Sequence, residues 1–98
     1  MRVYISGPIR GTGDYAQRFE DAEYELREHG FKPINPVKAD VISDDLTIEE
    51  RLKIDLLLLG MCDAIYMLRG WESSCGANRE FGYAAAKDMM IMREADGF

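Results

Sequence analysis

Glu80 falls among Ala77, Phe81, Gly82 and Ala84, in a stretch from Gly70 to Ala84 that reads as a glycine-and-serine loop running straight into a helix. Small and apolar neighbours place its carboxylate close to a packed surface, where a charge needs a partner or a task. Ser73, Ser74 and the backbone at Cys75 and Gly76 open the same helix, so their hydroxyl and N–H groups form a donor set suited to an anion. A second loop, Gly7-Pro8-Ile9-Arg10-Gly11-Thr12-Gly13, offers glycines for close backbone approach and an arginine that forks onto phosphate oxygens. It matches neither G-x-G-x-x-G nor the Walker A spacing, and alone it reads equally as an ordinary strand-to-helix connection. Asp55 stands with Leu52, Leu56 and Leu59 at helical spacing, on an apolar stripe rather than a solvated face. One reading makes it a working carboxylate, and the other a rim residue bonded to nearby backbone. If the anion is the phosphate of a sugar phosphate, Glu80 faces the sugar. A carboxylate there attacks the anomeric carbon and forms a covalent glycosyl intermediate, while Asp55 holds or protonates the leaving base.

These residues need elements to hold them. Val3-Tyr4-Ile5 reads as a first strand ending at Ser6-Gly7-Pro8. Asp14 and Gln17 form an expected capping box for a helix over about residues 14–28, which Gly30 ends. His29, at that end, is a residue the helix dipole favours rather than a catalytic one. Phe31 to Pro36 reads as a proline-interrupted edge strand, and Val37 to Leu46 as polar and aperiodic. Thr47 and Glu50 form a second expected capping box, for a helix running to about Leu59 that Gly60 stops. A third strand over about residues 63–68, the loop 69–74, a helix over about residues 75–87 and a fourth strand at Met89 to Met92 complete the chain. The order β-α-β-α-β-α-β predicts a flavodoxin- or Rossmann-like three-layer α/β sandwich. Its parallel sheet has about four strands in the order 2-1-3-4, with helices on both faces. The switch point then lies between the first and third strands, with the two candidate loops flanking it.

The 98 residues read as a single domain, residues 1–98, without linker, repeat or low-complexity tract. An apolar fraction of 47% and a charged fraction of 31% are those of a soluble globular protein. The longest apolar run, Leu56 to Leu59, is far below the roughly 18 residues of a membrane span. The amino terminus enters a strand at once, and the expected location is the cytoplasm. Cys62 and Cys75, with His29, lack the spacing of a zinc site, so no metal or cofactor is expected and the thiols are expected to be reduced. A formal charge of −6 opposes a nucleic-acid polymer. A small phosphorylated molecule remains compatible, because one arginine and a helix terminus make a local positive site.

Taken together, Tyr4-Ile5-Ser6-Gly7-Pro8-Ile9-Arg10-Gly11, Asp55 eight residues before Asp63, and Ser74 to Ala84 with Glu80-Phe81-Gly82-Tyr83-Ala84 resemble the nucleoside 2-deoxyribosyltransferase superfamily. The nearest resemblance is to its 2'-deoxynucleoside 5'-phosphate N-hydrolase branch and to short phage and bacterial relatives, over most of the chain. The resemblance implies that Glu80 is the nucleophile at the deoxyribose anomeric carbon, Asp55 the acid near the base, and Tyr4 a tyrosine lining the pocket. It also implies that Arg10 holds a 5'-phosphate. Ser74 stands where nucleoside transferases tend to carry an aspartate that binds a free 5'-hydroxyl. A hydroxyl donates to a phosphate that a carboxylate repels, so Ser74 with Arg10 favours a nucleotide. The chain ends soon after the fourth strand, before the fifth strand and last helix of the larger enzymes. Trp71 either stacks over the base or plugs the underside of its loop.

The expected substrate-binding set is Gly7, Pro8, Ile9, Arg10, Gly11, Trp71, Ser73, Ser74 and Gly76, and the catalytic set is Glu80, Asp55 and Tyr4. The leading expectation is an enzyme that hydrolyses or transfers the N-glycosidic bond of a 2'-deoxynucleoside 5'-monophosphate. The alternatives are a non-catalytic nucleotide-binding module and an oligomeric interaction protein of the same fold. The expected partners are a small nucleotide or nucleoside and further copies of the chain, as a homodimer or higher homo-oligomer.

Overall fold

Four parallel strands form one sheet in the order β2-β1-β3-β4. The computed structural model of the chain describes residues 1–39 and 45–98. The strands are β1 (Arg2–Ser6), β2 (Lys32–Ile34), β3 (Ala64–Met67) and β4 (Met90–Arg93). The helices are α1 (Tyr15–Glu28), α2 (Pro36–Ala39), α3 (Ile48–Gly60) and α4 (Cys75–Ala86), with short 3₁₀ turns at Trp71–Ser73 and Glu94–Asp96. This is the expected α/β architecture and strand order. Part of the stretch from Val37 to Leu46 that reads as aperiodic lies outside the described residues. Its start, residues 37–39, is helical rather than aperiodic, as part of the four-residue helix α2 (Pro36–Ala39).

Side-chain alternation along the strands sorts the core into two layers. Val3 and Ile5 of β1, with Ala64, Tyr66 and Leu68, pack under Phe19, Ala22 and Leu26 of α1. Tyr4, with Ile65 and Met67, faces the other way, against Leu59 of α3 and Ala77 and Ala84 of α4. Strands buried on both faces read as continuous apolar runs, which is why Ala64 to Leu68 is buried at every position. Burial pushes the Tyr66 hydroxyl up to about 12, with the Glu94 and Glu25 charges adding to it.

Helix ends show where local sequence rules held. Thr47 and Glu50 form the full capping box at the start of α3. Gly30, at φ 85°, ends α1, with its own N–H bonded to Arg27 and the Phe31 N–H to Leu26, the paired bonds of a Schellman motif. Asp14 does sit at the start of α1, but its side chain makes no cap bond, and Gln17 donates instead to Asp21 one turn on. The box expected there is therefore not formed. Gly60 is still helical and does not stop α3, which is capped by Met61. Its value is space: a Cβ there would lie 2.9 Å from the Tyr83 hydroxyl of α4.

Candidate active site

Glu80 lies on the second turn of α4 and is only 6% exposed. Both of its oxygens are met by hydroxyls from β1. Tyr4 Oη donates to Oε2 at 2.5 Å, and Ser6 Oγ donates to Oε1 at 2.6 Å. Tyr4 and Ser6 are two residues apart on one strand and so share a face, the face on which α4 packs. One hydroxyl on each oxygen is the arrangement that suits an acceptor-only, ionised carboxylate. Ser6 was not among the residues expected at the site. Its signal was the alternation itself, a hydroxyl placed i+2 from Tyr4 at the carboxyl end of the strand.

The two loops at the switch point do lie side by side. Leu68 N–H bonds to the Ser6 carbonyl, joining the ends of β1 and β3. A Cβ built on Gly70 would approach Pro8 Cγ at 3.8 Å, so the first loop leans on the second. Gly70 has φ 84°, a left-handed conformation that glycine adopts without strain. Around it the loop is braced from two elements. Arg18 of α1 donates to the Arg69 carbonyl at 2.7 Å, and Glu94 after β4 accepts from the Arg69 N–H at 2.8 Å. Asn78 of α4 completes the brace by donating to the Glu72 and Ser74 carbonyls at 2.9 and 2.8 Å.

Within this frame the expected anion donors separate. Ser74 caps α4, its Oγ accepting from the Ala77 N–H at 3.2 Å, which leaves the hydroxyl proton to donate. The first helical N–H groups, at Cys75 and Gly76, have no carbonyl within the helix to bond. Ser73 turns inward instead and donates to the Gly70 carbonyl at 2.9 Å, so its hydroxyl holds the turn. Arg10 is exposed, on the loop between β1 and α1, while Gly7 and Pro8 are buried and Ile9 packs against the α1-side core. Trp71 stacks on Phe81 with ring centroids 4.8 Å apart and packs on the α4-side core.

Asp55 lies on α3, which faces α4. A Cβ on Gly76 would stand 3.4 Å from Leu52 Cδ2, and Glu49 pairs with Arg79 at 3.0 Å. Asp55 is half-buried, three residues beyond Leu52, with its Oδ1 sealed from solvent. The two cysteines stand apart from this chemistry. Burial pushes the Cys62 thiol up to about 11, and that thiol donates to the Leu58 carbonyl. Among the described residues no group of three or more His, Cys, Asp or Glu side chains is placed to hold a metal ion. No helix there is long and apolar enough to cross a membrane. A shallow depression lined by Gly60, Cys62, Tyr83, Lys87 and Met89 lies at the opposite, amino-terminal edge of the sheet from Ser6 and Glu80.

No curated protein matches the sequence. Solved structures do match the fold. A 2-deoxyribosyltransferase from the psychrotolerant bacterium Bacillus psychrosaccharolyticus superposes with a TM-score of 0.77 at 17% identity, over 95% of this chain and 71% of that one. A 2-deoxyribosyltransferase from Leishmania mexicana does so with a TM-score of 0.70 at 22% identity, over 94% of this chain and 62% of that one. The chain is thus shorter than both while sharing their architecture. A family model described as a domain of unknown function, DUF4406, runs over residues 1–93. The chain belongs to the DUF4406 family, built on the fold of the 2-deoxyribosyltransferases.

Proposed function

We propose that this protein cleaves or transfers the N-glycosidic bond of a 2'-deoxynucleoside 5'-monophosphate, with Glu80 as the nucleophile. The observation that carries the reading is the buried Glu80 carboxylate, gripped on both oxygens from β1 at the carboxyl ends of the strands, in a fold shared with 2-deoxyribosyltransferases. A buried carboxylate held in this way is dry and oriented, as an attacking group must be.

In the proposed reaction a Glu80 oxygen bonds to C1' as the bond from C1' to the base breaks. The electron pair leaves with the base, and Asp55 supplies the proton that base nitrogen then requires. Water next attacks C1' and displaces Glu80 as a carboxylate, giving its proton to Asp55 and so restoring the acid. An acceptor base taking the place of water makes the same sequence a transfer. Arg10, the Ser74 hydroxyl and the N–H groups of Cys75 and Gly76 receive the 5'-phosphate, and Gly7 to Gly11 let the backbone approach it.

The test is base release from a panel of deoxynucleoside monophosphates by the wild-type protein and by Glu80→Gln. Expected is release by the wild type and a loss of at least about a thousandfold in the variant, the scale of removing a nucleophile. Release that persists in Glu80→Gln removes the nucleophile assignment. Ligand-dependent melting shifts without release replace the enzyme with a nucleotide-binding module.

A further inference from the structure

We infer that Ser6 is a positioning residue for the Glu80 carboxylate, acting as the second of two anchors that fix its plane. The inference rests on the reading of Glu80 as a nucleophile. It concerns a residue which that reading does not itself require.

The terminal torsion of a glutamate is broad and roughly two-fold, so a carboxylate held at one oxygen still swings about the bond that carries it. Tyr4 alone, donating to Oε2, leaves that swing open. Ser6, donating to Oε1 at 2.6 Å, closes it. Both anchors stand on β1, so the carboxylate is referenced to the sheet although its backbone belongs to α4. Ser6 is itself immobile. It is 1% exposed, its carbonyl accepts from the Leu68 N–H at 2.8 Å, and the next residue, Gly7, has no room for a Cβ against Leu68. A short side chain on a locked strand end gives its hydroxyl few alternative positions. An aimed lone pair matters because attack at an anomeric carbon needs a near-aligned approach, and a small misplacement lowers the rate steeply.

The experiment measures base release from a deoxynucleoside monophosphate by the wild type, Ser6→Ala and Ser6→Thr, with the melting temperature of each. Expected for Ser6→Ala is a kcat lowered by at least about tenfold with KM changed less than about twofold, in a protein that still melts cooperatively. Ser6→Thr keeps the hydroxyl and is expected to recover much of the rate. An unchanged kcat in Ser6→Ala, or a loss confined to KM, overturns the positioning role and leaves Glu80 in place. Equal losses in a folded Ser6→Thr overturn it too, because they assign the effect to packing. If Ser6→Thr does not fold, the split between kcat and KM in Ser6→Ala decides alone. A wild-type protein that releases no base fails one step earlier, overturning the reading of Glu80 and this role with it.

Discussion

The Tyr4 hydroxyl donates to Glu80 Oε2 at 2.5 Å, tying β1 to α4 across 76 positions of sequence. Tyr4 is wholly buried, so no water replaces the bond when it is lost. Tyr4→Phe is expected to lower kcat for base release by about tenfold to a hundredfold, the scale of a misdirected reacting group. It should also destabilise the fold by about 1–3 kcal/mol, because a buried acceptor loses a donor. Steady-state kinetics and urea denaturation read the two effects separately. Wild-type kinetics in a folded Tyr4→Phe protein would remove the tyrosine from the mechanism.

Arg10 is exposed and makes no hydrogen bond or ion pair with another described residue, so its proposed role in the phosphate site predicts an effect on ligand rather than on stability. Arg10→Ala is expected to weaken deoxynucleoside monophosphates by about tenfold or more, the scale of a charge-assisted hydrogen bond. Nucleosides and the melting temperature should scarcely change. Equal losses for both ligand classes, measured by titration calorimetry, would sink the phosphate assignment.

Gly7 is where backbone rather than side chain sets the proposed site. An added Cβ would meet Leu68 Cβ at 2.8 Å and Cδ1 at 2.9 Å, and the Cβ cannot swing aside as a side-chain tip would. Gly7→Ala is expected to cost about 1–3 kcal/mol through overpacking, visible as a lowered denaturation midpoint. Because Ser6 and Pro8 flank it, activity should fall further than stability.

Glu23 supplies the acid limb of stability. It is 8% exposed on α1 and holds the corner between β2 and α2 through Asn35, Lys38 and Arg27. Burial alone raises its pKa. Hydrogen bonds from Lys38 and Asn35 outweigh that, with the charges of Lys38 and Arg27 adding to them, and hold the carboxyl below its ordinary 4.5. A depressed native pKa means the folded state binds fewer protons than the unfolded one. The stabilisation is therefore complete above about 4.5 and is lost as pH falls through the lower, native value. Melting temperatures measured from pH 7 down to about pH 3 should fall more steeply for the wild type than for Glu23→Gln. Parallel curves would show that this cluster does not set the acid response.

Where the chain solved a local problem with a local signal, the sequence was readable. The apolar strands, the Thr47 and Glu50 box and the stop at Gly30 are of this kind, and the alternation of strands and helices carries the sheet order with them. Asp14 and Gln17 have the spacing of a box, but the Asp14 side chain makes no cap bond and Gln17 donates to Asp21. Asp88 ends α4 in the left-handed conformation, at φ 54°, with no glycine to announce it. Ser73 resembled a phosphate donor because composition does not reveal which way a hydroxyl turns. Glu80 was legible as a carboxylate among small residues. Its grip by Ser6 was not, because that contact depends on the depth at which α4 crosses β1.

The division of β1 by parity has a consequence for how this protein can change. Among the described residues, Val3 and Ile5 pack in the α1 layer, while Tyr4 and Ser6 face Glu80 and the layer of α3 and α4. A redesign that repacks Phe19, Ala22 and Leu26 against Val3 and Ile5 therefore leaves the carboxylate's anchors alone. The strand works as a partition between two core layers, so changes on the α1 side need not reach the proposed site.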